Sequence, residues 1–157
     1  MKSDSNFFEK KLSYCIYGIF LKVGKELGID FKEHVYQRTC EEELKFSRIN
    51  YIAKPEIDLY SKTTNQKIGI FIPDLVIDDK IIIEIKVQKE VNNDSIRQLM
   101  KYLEYSKYEI GYLVNFGSRH IQIIRRIFTN DRKERGQART STDEYGQSQT
   151  QRSVVGL

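Results

Sequence analysis

Two carboxylates and one ammonium group set the chemistry this chain could do. Asp74, Glu84 and Lys86 lie in a stretch, residues 71–87, that is otherwise rich in isoleucine, leucine and valine. Two β-branched runs flank the polar turn Asp78-Asp79-Lys80, which is the pattern of two antiparallel strands joined by a tight turn. Side chains alternate faces along a strand, so Glu84 and Lys86 share one face while Ile83, Ile85 and Val87 take the other. Folding at the turn carries Asp74 back towards Glu84. Charges among apolar strands are costly unless they pair or hold a metal. Oxygen ligands suit a hard ion such as Mg²⁺, which is held by one or two carboxylates with waters and substrate phosphates. A lysine beside it can polarise a water or neutralise a phosphate. The same alternation also fits a one-sided sheet whose charges form a Glu84–Lys86 or Asp74–Lys86 ion pair in solvent.

The elements that must position these residues can be read along the chain. Leu12, Ile16, Ile19, Phe20, Val23 and Leu27 recur at helical spacing, which predicts a helix over 6–27 with Gly28 as its left-handed cap. Asp30 is the expected N-cap of a second helix running to about residue 49, with Glu33 in the capping-box position. Glu33 either caps its own helix or supplies a further carboxylate to the hairpin. Residues 51–60 alternate as a strand disturbed by Pro55, and 61–67 read as a polar hairpin loop. After the central hairpin, Asn93 or Asp94 is placed to cap a helix out to about Ser106. Gln98 and Tyr102 are neighbours on it, four residues apart. Two more strands follow, over 109–116 and 120–127. The expected order is therefore helix, helix, three strands, helix, two strands (ααβββαββ).

Length and composition bound the rest. At 157 residues the chain is sized for one domain with a real core. Lys and Arg number 26 against 22 Asp and Glu, a net charge of +4, compatible with a polyanionic partner. Cys15 and Cys40 are expected as small buried residues without metal-site spacing. The apolar run 15–21 is broken by Lys22 and falls far short of a membrane span, and no signal-type segment opens the chain. A cytoplasmic protein with no membrane partner is expected. From residue 130 the composition turns to Gln, Ser, Thr, Arg and Gly. This predicts a folded domain over 1–129 and a disordered polar tail over 130–157.

Pro73-Asp74, nine further residues, and then Glu84-Ile85-Lys86 resemble the PD-(D/E)XK motif of the restriction-endonuclease-like nuclease superfamily. Glu33 on a preceding helix resembles the helical acidic residue of many members. Gln98-Leu99-Met100-Lys101-Tyr102 resembles the QxxxY element of the RecB-like ones. More narrowly, residues 12–127 resemble the small GxxExxY proteins of bacteria and archaea, through Glu33-His34-Val35-Tyr36, the hairpin, Gln98 with Tyr102, and residues 114–118. One position departs from that pattern: the glycine expected three residues before Glu33 is Asp30.

The resemblance implies an α/β fold, a restriction-endonuclease-like core with a central mixed sheet flanked by helices, and a metal-dependent nuclease acting on DNA or RNA. It implies that Asp74, Glu84 and the backbone carbonyl of Ile85 bind Mg²⁺ or Mn²⁺, and that Glu33 binds the metal or holds its water. Lys86 would activate water, and Gln98 and Tyr102 would position Lys86 or the substrate phosphate. The alternative reading is a non-catalytic module of the same fold that binds nucleic acid or protein. The small domain leaves room for a homodimer or a protein partner. His34 and His120 could each contact phosphate or serve only in packing.

Overall fold

The computed structural model describes residues 2–136. The elements are α1 (Lys2–Leu27), α2 (Glu33–Phe46), β1 (Tyr51–Ala53), β2 (Ile57–Tyr60), β3 (Lys67–Phe71), β4 (Leu75–Ile77), β5 (Ile81–Lys86), α3 (Asn93–Tyr105), β6 (Ile110–Asn115) and β7 (Gln122–Ile127). Five strands form a mixed sheet in the order β1-β4-β5-β6-β7, and β2 pairs with β3 beside it. Only β5 and β6 run parallel, with α3 as the crossover that parallel neighbours require.

The expected α/β class, a mixed sheet flanked by helices, is what the chain adopts. Its strands are more numerous than the expected order. The strand expected over 51–60 is cut at Pro55 into β1 and β2. Pro73 likewise separates β3 from β4. Proline cannot donate to a ladder, so both strands end there and restart in another pairing. The loop expected over 61–67 gives up Lys67, which pairs with Tyr60.

At the centre, β4 and β5 form the expected hairpin, with Leu75 opposite Ile83 and Ile77 opposite Ile81. Asp78 and Asp79 take φ values of 50° and 49°, a primed turn whose twist matches the strands. Helices α1 and α2 cover one face, setting Phe20, Tyr36 and Leu44 against Ile81, Ile83 and Ile85. Helix α3 and the β2–β3 pair cover the other, setting Leu99 and Phe71 against Val76, Ile82 and Leu113. Strand β5 is thus buried on both sides, which explains its near-continuous isoleucines. A Cβ on Gly111 would come within 2.8 Å of the Leu99 side chain, so this glycine lets α3 lie close on β6.

Several local expectations are corrected. Asp30 does not cap α2. Lys32 occupies the N-cap without a side-chain bond, and Asp30 takes φ 85° in the preceding turn. Helix α2 ends at Phe46, short of residue 49. The cap of α3 is Asn92, whose Oδ1 accepts the Ser95 N–H at 2.8 Å, rather than Asn93 or Asp94. Cys40 is buried, but Cys15 is exposed because it falls beside the Ile16–Ile19–Phe20–Val23 stripe. Residues 130–136 are helical, so the polar segment does not begin as disorder. Lys133 Nζ ties this turn down by donating to the carbonyls of Ser106 and Tyr108 at 2.8 and 2.7 Å. The remainder of the expected tail, 137–157, lies outside the described residues. Among the described residues, no helix is long and apolar enough to cross a membrane.

Candidate active site

Asp74 directly precedes β4, and the hairpin register sets it against Glu84. It is only 4% exposed. Its Oδ2 accepts the Ile85 N–H at 2.7 Å, a charge-assisted bond that fixes the carboxylate across the end of the hairpin ladder. Its carbonyl accepts the Lys54 N–H at 3.0 Å, and Gln37 Nε2 at 3.4 Å. In a strand, a residue's N–H and C=O point to the same side. The Ile85 carbonyl therefore faces the same edge as Asp74.

Glu84 and Lys86 point to the α3 face of β5, with Lys86 Nζ 3.9 Å from Glu84 Oε2. That contact lies beyond hydrogen-bond range, so the pair attracts without being locked. Burial, and then the negative charge of Asp74, push the Glu84 carboxyl up to about 7, against the opposing pull of Lys86 and Lys54. Two carboxylates brought together with too little positive charge favour a proton or a cation between them.

Glu33 begins α2 and is exposed, yet it senses the same set. Partial burial and the Asp74 charge raise its carboxyl above the ordinary range, while Lys86 and Lys54 pull it down. Its placement depends on Tyr36, which is fully buried. The Tyr36 hydroxyl donates to the Gly28 carbonyl at 2.7 Å, and its ring stacks on Phe116 at 4.7 Å. Tyr36 therefore latches the α1–α2 turn to the sheet and fixes where α2 starts.

Tyr102 stacks on Phe71, with centroids 4.0 Å apart and planes 9° from parallel. Burial and the charge of Glu84 hold its hydroxyl above the usual phenol range. Gln98 lies one turn earlier, exposed, and its side chain makes no hydrogen bond among the described residues. The fold thus gathers Asp74, Glu84, Ile85, Lys86 and Tyr102, holds Glu33 at electrostatic range, and leaves Gln98 on the rim. His34 is exposed at the start of α2, and His120 lines a separate cavity.

Sequence reasoning missed Lys54. Its ammonium is ion-paired with Asp74 Oδ1. No spacing rule points to it, because it reaches the site only through the pairing of Ala53 with Leu75. Pro55 was the available signal, since it ends β1 and turns the chain at that point.

Among the described residues, no group of three or more His, Cys, Asp and Glu side chains could hold a metal ion. The local donors suit a hard cation nonetheless: two carboxylates and a carbonyl, with oxygens only. The Lys54 ammonium already sits on Asp74 Oδ1, where a cation would bind.

The family model described as "PD-(D/E)XK nuclease superfamily" matches residues 10–127, which include the whole sheet and every residue of this site. A search of curated proteins found no match. Among solved structures, one described as "Crystal structure of SSO0001" is similar, with 22% identity and a TM-score of 0.49. The match covers 70% of this chain and 55% of that one, so the chain spans little more than half of that protein's length.

Proposed function

Because this chain belongs to the PD-(D/E)XK nuclease superfamily, we propose that it hydrolyses phosphodiester bonds in DNA or RNA with a divalent metal, Mg²⁺ or Mn²⁺. The observation that carries this reading is the meeting of Asp74 and Glu84, with Glu84 pushed up to about 7. In a purely structural hairpin, such repulsion in a half-buried place has no use.

In this reading Asp74, Glu84 and the Ile85 carbonyl hold the metal, with Glu33 reaching it through water. When bound, the ion polarises the phosphate and lowers the pKa of water. The chain's own groups do the rest. Lys86, charged and partly sheltered, neutralises the phosphate as negative charge grows on it. Lys86 also orients or activates the attacking water, while the ligand carboxylate of Glu84 stays ionised on the metal. Tyr102 and Gln98 position the phosphate or Lys86 from α3. Glu33 and Tyr36 support placing the chain in the GxxExxY branch. Asp30 is compatible with that reading, since its φ of 85° is one that glycine adopts without strain.

The test is cleavage of single- and double-stranded DNA and RNA with Mg²⁺ or Mn²⁺. Cleavage that is lost in Glu84→Ala supports the reading. No cleavage of any substrate by the wild type sinks it. One observation favours a second reading, a module of this fold that binds nucleic acid or protein without cutting. Lys54 already neutralises Asp74, as a site with no metal would require.

A further inference from the structure

A cavity of about 280 Å³ opens between the end of α1 and the β6–β7 loop, lined in part by Lys25, Ile29, Phe116, Arg119 and His120. No carboxylate lines it. Four other surface cavities each carry at least one Asp or Glu: Glu9, Glu42 and Glu43, or Glu56 and Asp58 are examples. The side chains of Lys25, Arg119 and His120 are exposed and have no hydrogen-bond or ion-pair partner among the described residues. The unpaired charges of Lys25 and Arg119 beside a concave surface free of carboxylates favour an anion there.

The cavity lies at the same end of β5 as the candidate active site, on the α1 face of the sheet, opposite the face to which Glu84 and Lys86 point. The Phe116 N–H donates to the Lys86 carbonyl at 2.9 Å. Asn115, fully buried, accepts the Gln88 and Gly117 N–H groups at 2.9 and 3.1 Å and donates to the Gln88 carbonyl and to Gln122, both at 2.9 Å. A Cβ on Gly117 would lie 2.4 Å from the Gln88 nitrogen, so the loop is pressed onto the end of β5. The loop that carries Arg119 and His120 is therefore anchored to the end of β5 just beyond Lys86. Exposed Leu21 and Ile29 supply apolar surface beside them for a sugar or base. The volume lies at the low end for ligand sites and suits one phosphate with its sugar.

We propose that this cavity binds a backbone phosphate of the nucleic-acid strand, away from the bond that is cut. It rests on the nuclease reading for the identity of its strand. Arg119 and Lys25 contact the phosphate and His120 closes the rim.

The experiment is fluorescence anisotropy of a short labelled oligonucleotide, DNA and RNA, in EDTA so that nothing is cut. Wild type is compared with Lys25→Gln/Arg119→Gln and with Lys80→Gln/Lys107→Gln, which removes equal charge at the opposite end of the sheet. The pocket variant should bind at least about fivefold more weakly, with a salt slope shallower by about one per lost contact. The control should stay within about twofold, and Arg119→Lys should retain most of the binding. Equal losses in both double variants, no loss in the pocket variant, or no binding by the wild type overturns the proposal. Pocket-dependent binding by a wild type that never cleaves with Mn²⁺ leaves the pocket standing and sinks the nuclease reading. Cleavage with binding indifferent to the pocket sinks the pocket alone. Competition by free mononucleotide as effective as by oligonucleotide would make the cavity a nucleotide site and also overturn the proposal.

Discussion

Lys54 holds Asp74 from the neighbouring strand: its ammonium pairs with Asp74 Oδ1, and its N–H donates to the Asp74 carbonyl at 3.0 Å. The ammonium and a divalent metal would compete for the same oxygen. Lys54→Met should therefore tighten Mn²⁺ binding about threefold to tenfold, a gain on the order of 1 kcal/mol, while lowering metal-free stability by leaving Asp74 without its partner. Calorimetric titration checks the first effect and thermal unfolding in EDTA the second. Weaker Mn²⁺ binding in the variant would show that Lys54 assists the site rather than competing for it.

Glu84 gives a pH signature. Its carboxyl titrates near 7 in the fold against an ordinary value of 4.5. A raised carboxyl contributes stability that is full below about 4.5 and is lost as pH rises through 7. Metal-free Glu84→Gln should therefore gain on wild type as pH climbs through that window, by on the order of 3 kcal/mol at pH 8. Adding Mn²⁺ should reverse the order, because the ion binds only the carboxylate. Paired melting curves at pH 5 and pH 8, with and without Mn²⁺, check this. A gap between variant and wild type that does not change with pH would refute it.

Asp30 is a non-glycine residue held in the left-handed region of the backbone. A φ of 85° strains an aspartate but not a glycine. Asp30→Gly should stabilise the fold by up to about 1 kcal/mol, the relief of strain being partly offset by the added freedom of the unfolded chain. Urea unfolding measures it, and a destabilised variant would mean that the Asp30 side chain supports the turn.

Tyr102 separates support from chemistry. Tyr102→Phe keeps the stacking on Phe71 and should leave stability within about 0.5 kcal/mol. Any cleavage should fall, since the hydroxyl beside Glu84 is gone. Tyr102→Ala also loses the ring and should cost about 2–4 kcal/mol. Equal cleavage by Tyr102→Phe and wild type would remove the hydroxyl from the site.

The central hairpin, α1, α3 and the pairing of Asp74 with Glu84 were legible because local pattern determines them. Two aliphatic runs, Leu75-Val76-Ile77 and Ile81-Ile82-Ile83, around an Asp-Asp turn admit one register that buries both sets of side chains. What was not legible depends on pairing across sequence distance. Lys54 enters only through β1 on β4. The splitting of two expected strands follows from where Pro55 and Pro73 stop one ladder and start another. The Asp30 cap failed because the Tyr36 hydroxyl organises that turn by bonding back to Gly28. The cavity at Arg119 joins α1 to a loop almost a hundred residues later, so no local pattern could announce it.

We propose that Asp74 and Glu84 form a divalent-metal site for phosphodiester hydrolysis. Calorimetric titration of Mn²⁺ into wild type and Asp74→Asn, alone and with a non-cleavable oligonucleotide, tests it most directly. Mn²⁺ prefers the same oxygen donors as Mg²⁺ and binds them more tightly. Wild type should take up Mn²⁺ saturably, more tightly with the oligonucleotide, and Asp74→Asn should take up none. No uptake by wild type even with the oligonucleotide, or uptake unchanged in Asp74→Asn, would contradict it.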